Sequence, residues 1–181
     1  MRITIEVGTP EQKKLIENEV RLVFNAASNS NQNFSINEII VPVDFDSTVN
    51  TLQGTTSYQS VRNLDEHDIV VNAKVIHNPN GSYLVISPHI FSKWNDAQTR
   101  CFIYMHELVH VVRKQEYMFS GAFSIYEHNL ETFIEEYIAD RIAYGFVDQA
   151  FQTKSDNGKL NCQGNPHNLL SFSQIHHIRP P

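Results

Sequence analysis

Between Phe91 and Ser120 the chain has neither proline nor glycine, and inside that window lies Tyr104-Met105-His106-Glu107-Leu108-Val109-His110-Val111-Val112. Nearly every other position from Cys101 to Val112 is apolar, including Phe102, Ile103 and Leu108. A helix that is apolar almost all round has to be buried. Two histidines and a glutamate buried with it need partners for their polar groups. On a helix, residues four apart share a face, with Cβ atoms about 5–6 Å apart. His106 and His110 can therefore each offer a ring nitrogen to one metal ion, at the ~2.0–2.1 Å that zinc requires. Glu107 sits one step round, beside such an ion, where a carboxylate can hold a water. The competing reading is a core helix whose two histidines are satisfied by protein neighbours.

The 181 residues suffice for one domain with a core of its own, and residues 1–181 read as a single unit. A formal charge of -6, with Lys and Arg scattered rather than clustered, argues against general binding to nucleic acid or to an anionic membrane. No stretch approaches 18 uninterrupted apolar residues, so no membrane span is expected. Cys101 and Cys162 do not make a disulfide framework. The start, Met1 to Val7, alternates like a strand and carries Glu6 where a signal peptide would stay apolar. The default expectation is a cytoplasmic monomer with reduced thiols, secretion without a signal remaining open.

In chain order, residues 2–7 alternate as a strand. Thr9-Pro10-Glu11-Gln12 then reads as a helix start, with Thr9 as cap and Gln12 closing a capping box. Ile16, Val20, Val23 and Ala27 mark its buried stripe. A second strand is expected over Ile39–Phe45, with Pro42 at an edge or an end. Residues 47–65 are polar, contain Gly54 and read as a surface loop. Ile69 to Ile76 alternates as one strand, His77-Asn78-Pro79-Asn80-Gly81 is a turn, and Ser82 to Ser87 closes a hairpin. Ser92 or Asn95 then caps the histidine helix, which is expected to run to about Lys114. A second long helix follows over Ile125–Val147, and 148–181 reads as a partly irregular tail that packs in part through Leu169, Leu170 and Phe172.

A catalytic zinc needs a third protein ligand and an open fourth position. Two templates compete for the third. In the metzincin pattern a glycine three residues after the second His breaks the helix, and another ligand follows three later. Arg113 and Glu116 stand there, so the turn-making glycine is missing. The other template places a glutamate on the next helix. Residues 135–143 read Glu-Glu-Tyr-Ile-Ala-Asp-Arg-Ile-Ala, in which Glu136 and Asp140 share a face. The glutamate can ligate while the aspartate hydrogen-bonds a ligand histidine from behind. Ala139 is small enough to let the two helices approach closely. Glu127, Glu131 and Glu135 lie nearby on the same helix, so solvated glutamates are the alternative reading of Glu136.

His-Glu-x-x-His followed by Glu-x-x-x-Asp resembles the gluzincin metallopeptidases of the thermolysin-like clan, whose two-histidine, one-glutamate zinc set is a standard example. The segment Glu-x-x-Ala-Asp-Arg-x-Ala also resembles the short ImmA/IrrE-type peptidases and minigluzincins, which often carry Asn where Asp140 stands. The resemblance covers about Ser82 to Phe146. It implies an α+β, zincin-like fold: a small twisted, mostly antiparallel sheet packed on the active-site helix and on the glutamate-bearing helix that follows. It implies His106, His110 and Glu136 as ligands of Zn2+, Glu107 as general base and Asp140 behind a ligand histidine. Tyr126 and His128 are candidates for a second donor to the oxyanion that forms on peptide-bond attack, each against the plainer reading of a core tyrosine and a surface histidine. Terminal His176 and His177 are further residues that could reach the site.

The implied activity is hydrolysis of peptide bonds by a zinc-dependent endopeptidase, with a protein or peptide bound as an extended strand along a sheet edge. Residues 47–65 and the tail are places where specificity or autoinhibition could reside. The alternative is a zinc-stabilised binding or regulatory module of the same fold with little or no proteolysis, closed by a fourth ligand such as Cys101 or His128. A third reading has no metal at all. Glu107 favours the first, since a structural site needs no base beside the ion.

Overall fold

A computed structural model describes residues 1–30, 35–64, 67–90, 96–116 and 125–152; for 30, 61–64, 67–70, 114–116, 125–129 and 152 it describes the backbone alone. Strand β1 (Arg2–Ile5) leads into helix α1 (Pro10–Ser30), which returns the chain to β2 (Glu38–Val41). The capping box forms: Thr9 N–H donates to Gln12 Oε1 at 2.8 Å, and Gln12 N–H donates to Thr9 Oγ1 at 3.3 Å. Ile16, Val20, Val23 and Ala27 are all buried, as their spacing requires.

Residues 47–65 are not the surface loop expected. Helix α2 (Phe45–Gln53) occupies the first part, and β3 (Val61–Leu64) pairs antiparallel with β4 (His67–Val70) as a separate two-stranded sheet. Asp44 caps α2 by accepting from Ser47 N–H at 2.9 Å, and Gly54 ends it in the left-handed region at φ 68°. Among the Ser, Thr and Asn that hide the pattern, Phe45 and Val49 are the buried face of α2. Asn50 then fixes the following turn, accepting from Thr55 Oγ1 and Tyr58 N–H and donating to Tyr58 C=O.

The single alternating strand expected over 69–76 is two strands in two sheets. At Val71 and Asn72 the hydrogen-bond partners change: Val71 N–H donates to Ser60 C=O, and Asn72 C=O accepts from Ser87 N–H. Beyond the break, β5 (Ala73–Asn78) and β6 (Gly81–Ile86) form the expected hairpin across Pro79 and Asn80. Gly81 has φ 129°, a conformation that a side chain would strain.

The main sheet has the order β1-β2-β6-β5, with β1–β2 and β2–β6 parallel and only β5–β6 antiparallel. A mostly antiparallel sheet was the expectation; connectivity overturns it. Parallel neighbours need a crossover, and α1 supplies one between β1 and β2, while the segment holding α2, β3, β4 and β5 joins β2 to β6. Pro42 follows the last residue of β2, which is an interior strand, so the proline marks an end and not an edge.

Both faces of this sheet are covered. Ile39, Val41, Leu84 and Ile86 point into the main core with α1 and with α3 (Ala97–Glu116). Val85 and Ile76 pack from the other face against Phe45 and Val49 of α2. That double burial is why β6 reads Tyr-Leu-Val-Ile without alternation. Each fully buried Leu or Ile stabilises the fold by about 1.5–3 kcal/mol. Between α1 and α3 one ion pair is sealed in: Arg100 donates to Glu19 at 2.8 and 2.6 Å, with side-chain exposures of 9% and 5%.

Helix α3 starts at Asp96, whose carboxylate accepts from Thr99 N–H and Thr99 Oγ1 at 2.7 Å. Ser92 and Asn95, the expected caps, lie outside the described residues. Helix α4 (Ile125–Gln152) packs along α3 through Ala139 and Ala143, both fully buried. It continues five residues past Val147, so 148–152 are helical and not part of an irregular tail; 153–181 lie outside the described residues. No helix among the described residues is long and apolar enough to cross a membrane.

Candidate metal centre and its cleft

Three elements build the site: the edge strand β5, helix α3 and helix α4. His106 and His110 stand one turn apart on α3, with their Nε2 atoms 3.1 Å apart. Glu136 comes from α4 to meet them, one oxygen 3.2 Å from His106 Nε2 and the other 3.5 Å from His110 Nε2. One ligand atom from each of the three lies within 4.8 Å of the others, and the group could hold a metal ion. The alanines Ala139 and Ala143 in the helix interface are the local reason that a carboxylate on α4 reaches α3.

Asp140, one turn beyond Glu136, places Oδ1 2.9 Å from His106 Nδ1. A carboxylate only accepts, so Nδ1 is the donor in this bond, and Nε2 is the ring atom left for a metal ion beside Glu136 and His110. An outer hydrogen bond of this kind would orient His106 as a metal ligand. Burial holds the His110 imidazole below its ordinary pKa, which favours the neutral form that ligation needs.

Glu107 does not join the group. Its Oε2 accepts from Val75 N–H of β5 at 3.0 Å, tying the helix to the strand. Burial pushes the Glu107 carboxyl above the ordinary glutamate value, opposed by His106 and by the Val75 N–H bond. In front of these residues lies a cleft of about 590 Å³, walled by Val71, Ala73 and Val75 on the strand side and by Arg113, Glu131 and Glu135 on the helix side.

Several candidates fall elsewhere. Helix α3 stays helical through Glu116, so the chain does not turn after His110 as the metzincin template needs. Cys101 is 1% exposed and part of the main core, apart from the metal group, so it is no fourth ligand. Tyr126 and His128 are in the first turns of α4, and their side chains lie outside what is described, as do His176 and His177.

Two features of the site were not expected from the sequence. Arg113 donates from Nε and Nη2 to both oxygens of Glu135 at 2.8 and 2.6 Å, a forked pair joining α3 to α4 beside the metal group. Its faint signal is an arginine one turn past His110 and a glutamate next to Glu136. The backbone contact from Val75 to Glu107 has no sequence signal, since any residue supplies an N–H. The chain matches no protein-family model, no curated protein and no solved structure.

Proposed function

We propose that this chain is a zinc-dependent endopeptidase of gluzincin type, similar to the short ImmA/IrrE-type and minigluzincin enzymes. The observation that carries the reading is the convergence of His106 Nε2, His110 Nε2 and the Glu136 carboxylate at a cleft, with Glu107 beside them and not among them. The donor set fits zinc: two imidazole nitrogens and one carboxylate, with no fourth His, Cys, Asp or Glu in the group among the described residues. A group of three ligands among the described residues favours a catalytic site over a closed structural one.

His106, His110 and Glu136 would hold the ion, and Asp140 would keep the His106 ring in the ligating tautomer. When bound, zinc would supply Lewis acidity, bringing the pKa of a coordinated water towards ~7 and polarising the scissile carbonyl. Glu107 would act on protons. With Oε2 fixed by Val75 N–H, its other oxygen would take a proton from the attacking water and deliver it to the leaving amine nitrogen. Strand β5 ends the sheet order, and an extended peptide laid along that edge would pass the metal group. The apolar residues Ala73 and Val75 line this path.

The test combines metal analysis with cleavage. One zinc per chain is expected, lost in His106→Ala and in Glu136→Ala. Glu107→Gln should keep the zinc and lose peptide-bond hydrolysis, read in a proteomic cleavage screen against that variant. Unchanged cleavage in Glu107→Gln would sink the base assignment, and zinc retained in Glu136→Ala would sink the third ligand.

A further inference from the structure

The cleft carries more charge than the proposed chemistry uses. Most of that charge already has a protein partner. Arg113 and Glu135 neutralise each other in their forked pair. Lys74 Nζ lies 5.2 Å from the centre of the Tyr58 ring, and His77 Nδ1 lies 2.8 Å from Ser82 Oγ. Glu136 and Glu107 have the roles proposed above. Glu131 differs from all of these. It is half-buried in the cleft wall, and among the described residues no hydrogen bond or ion pair reaches its carboxylate. A carboxylate part-shielded from water, and unpaired among the described residues, favours a cation brought to it.

We propose that Glu131 selects the substrate by receiving a lysine or arginine side chain of the bound peptide. The inference rests on the peptidase reading and adds a substrate class to it. Glu131 precedes Glu136 by five residues on one continuous helix. That is about 7.5 Å along the axis at 1.5 Å per residue, the span of roughly two residues of extended peptide. The basic residue therefore belongs within two or three positions of the bond that is cut. An arginine there can engage both carboxylate oxygens, as Arg113 does with Glu135.

The test measures binding without turnover. Zinc-loaded Glu107→Gln protein is titrated with labelled decapeptides of one neutral sequence, carrying Arg, Leu or Glu at a single position moved along the peptide. At the best position the Arg peptide should bind roughly five- to tenfold tighter than the Leu peptide, and the Glu peptide weaker than both. Adding Glu131→Gln should remove the difference, and Glu131→Lys should invert it, with melting temperatures unchanged because no partner holds Glu131 among the described residues. The preference should shrink in 0.5 M salt. Equal binding of the three peptides, or a preference that survives Glu131→Gln, overturns this inference alone. No binding by any peptide overturns the peptidase reading along with it.

Discussion

Replacing Asp140 tests whether the carboxylate behind His106 serves the metal or only the surface. Its Oδ1 lies 2.9 Å from His106 Nδ1, yet its side chain is 51% exposed. A hydrogen bond to a charged group contributes about 1.5–3 kcal/mol, and exposure puts this one at the lower end. Asp140→Ala should therefore weaken zinc binding by about tenfold, or ~1.4 kcal/mol, the low end of the range for outer partners of ligand histidines. Asp140→Asn keeps an acceptor oxygen and loses only the charge, so its loss should be smaller, roughly threefold. Competition with a chromophoric chelator reads both values. The same ~1.4 kcal/mol should appear as a fall in melting point that is larger with zinc than without it by about 3–5 °C. A zinc affinity within twofold of the parent in Asp140→Ala would refute the reasoning. So would an equal fall in melting point with and without zinc, since the aspartate would then be stabilising the helix pair and not orienting a ligand.

Three further outcomes follow from the fold. Arg100→Met should destabilise by about 3 kcal/mol in urea unfolding, because it strands a buried Glu19 carboxylate, whereas Glu19→Met with Arg100→Met should restore stability to within about 1 kcal/mol of the parent. Burial raises the Glu38 pKa, but hydrogen bonds from Arg2 and Thr4 outweigh it and the net value lies below the ordinary 4.5. Its stabilisation is thus present above about pH 4.5 and lost as pH falls through the lower folded value, so the gap in urea midpoint between parent and Glu38→Gln should close only on acidification. Gly81→Ala should cost about 1–3 kcal/mol, since φ is 129° and the new Cβ would run into the Asn37 amide; a neutral result by thermal melting would show that the hairpin turn relaxes freely.

How much of this was legible in the sequence depends on the range of the interaction concerned. The capping box at Thr9 and Gln12, the stripe of α1 and the turn at Pro79 are local rules, and each forms as its residues dictate. Helix α2 escaped because only Phe45 and Val49 are buried in nine residues otherwise rich in Ser, Thr and Asn. Its stability comes from packing on Val85 and Ile76, partners that no local window contains. The break at Val71 and Asn72 escaped because period-two alternation runs straight through it while the hydrogen-bond partners change.

The site divides in the same way. Glu131 and Glu135 look like any other helix-face glutamates in the sequence. Only the approach of α4 to α3 gives Glu135 its arginine and leaves Glu131 in the cleft wall with none among the described residues.

By itself the sequence determined which side chains share a helix face: His106 with His110, and Glu136 with Asp140. A helix fixes those relations through its own 3.6-residue period. Strand direction, the joining of the two faces into one candidate metal group, and the Val75 N–H that holds Glu107 were decided only by tertiary structure. These depend on crossovers and on helix packing between residues distant in the chain, and backbone donors carry no residue identity to read.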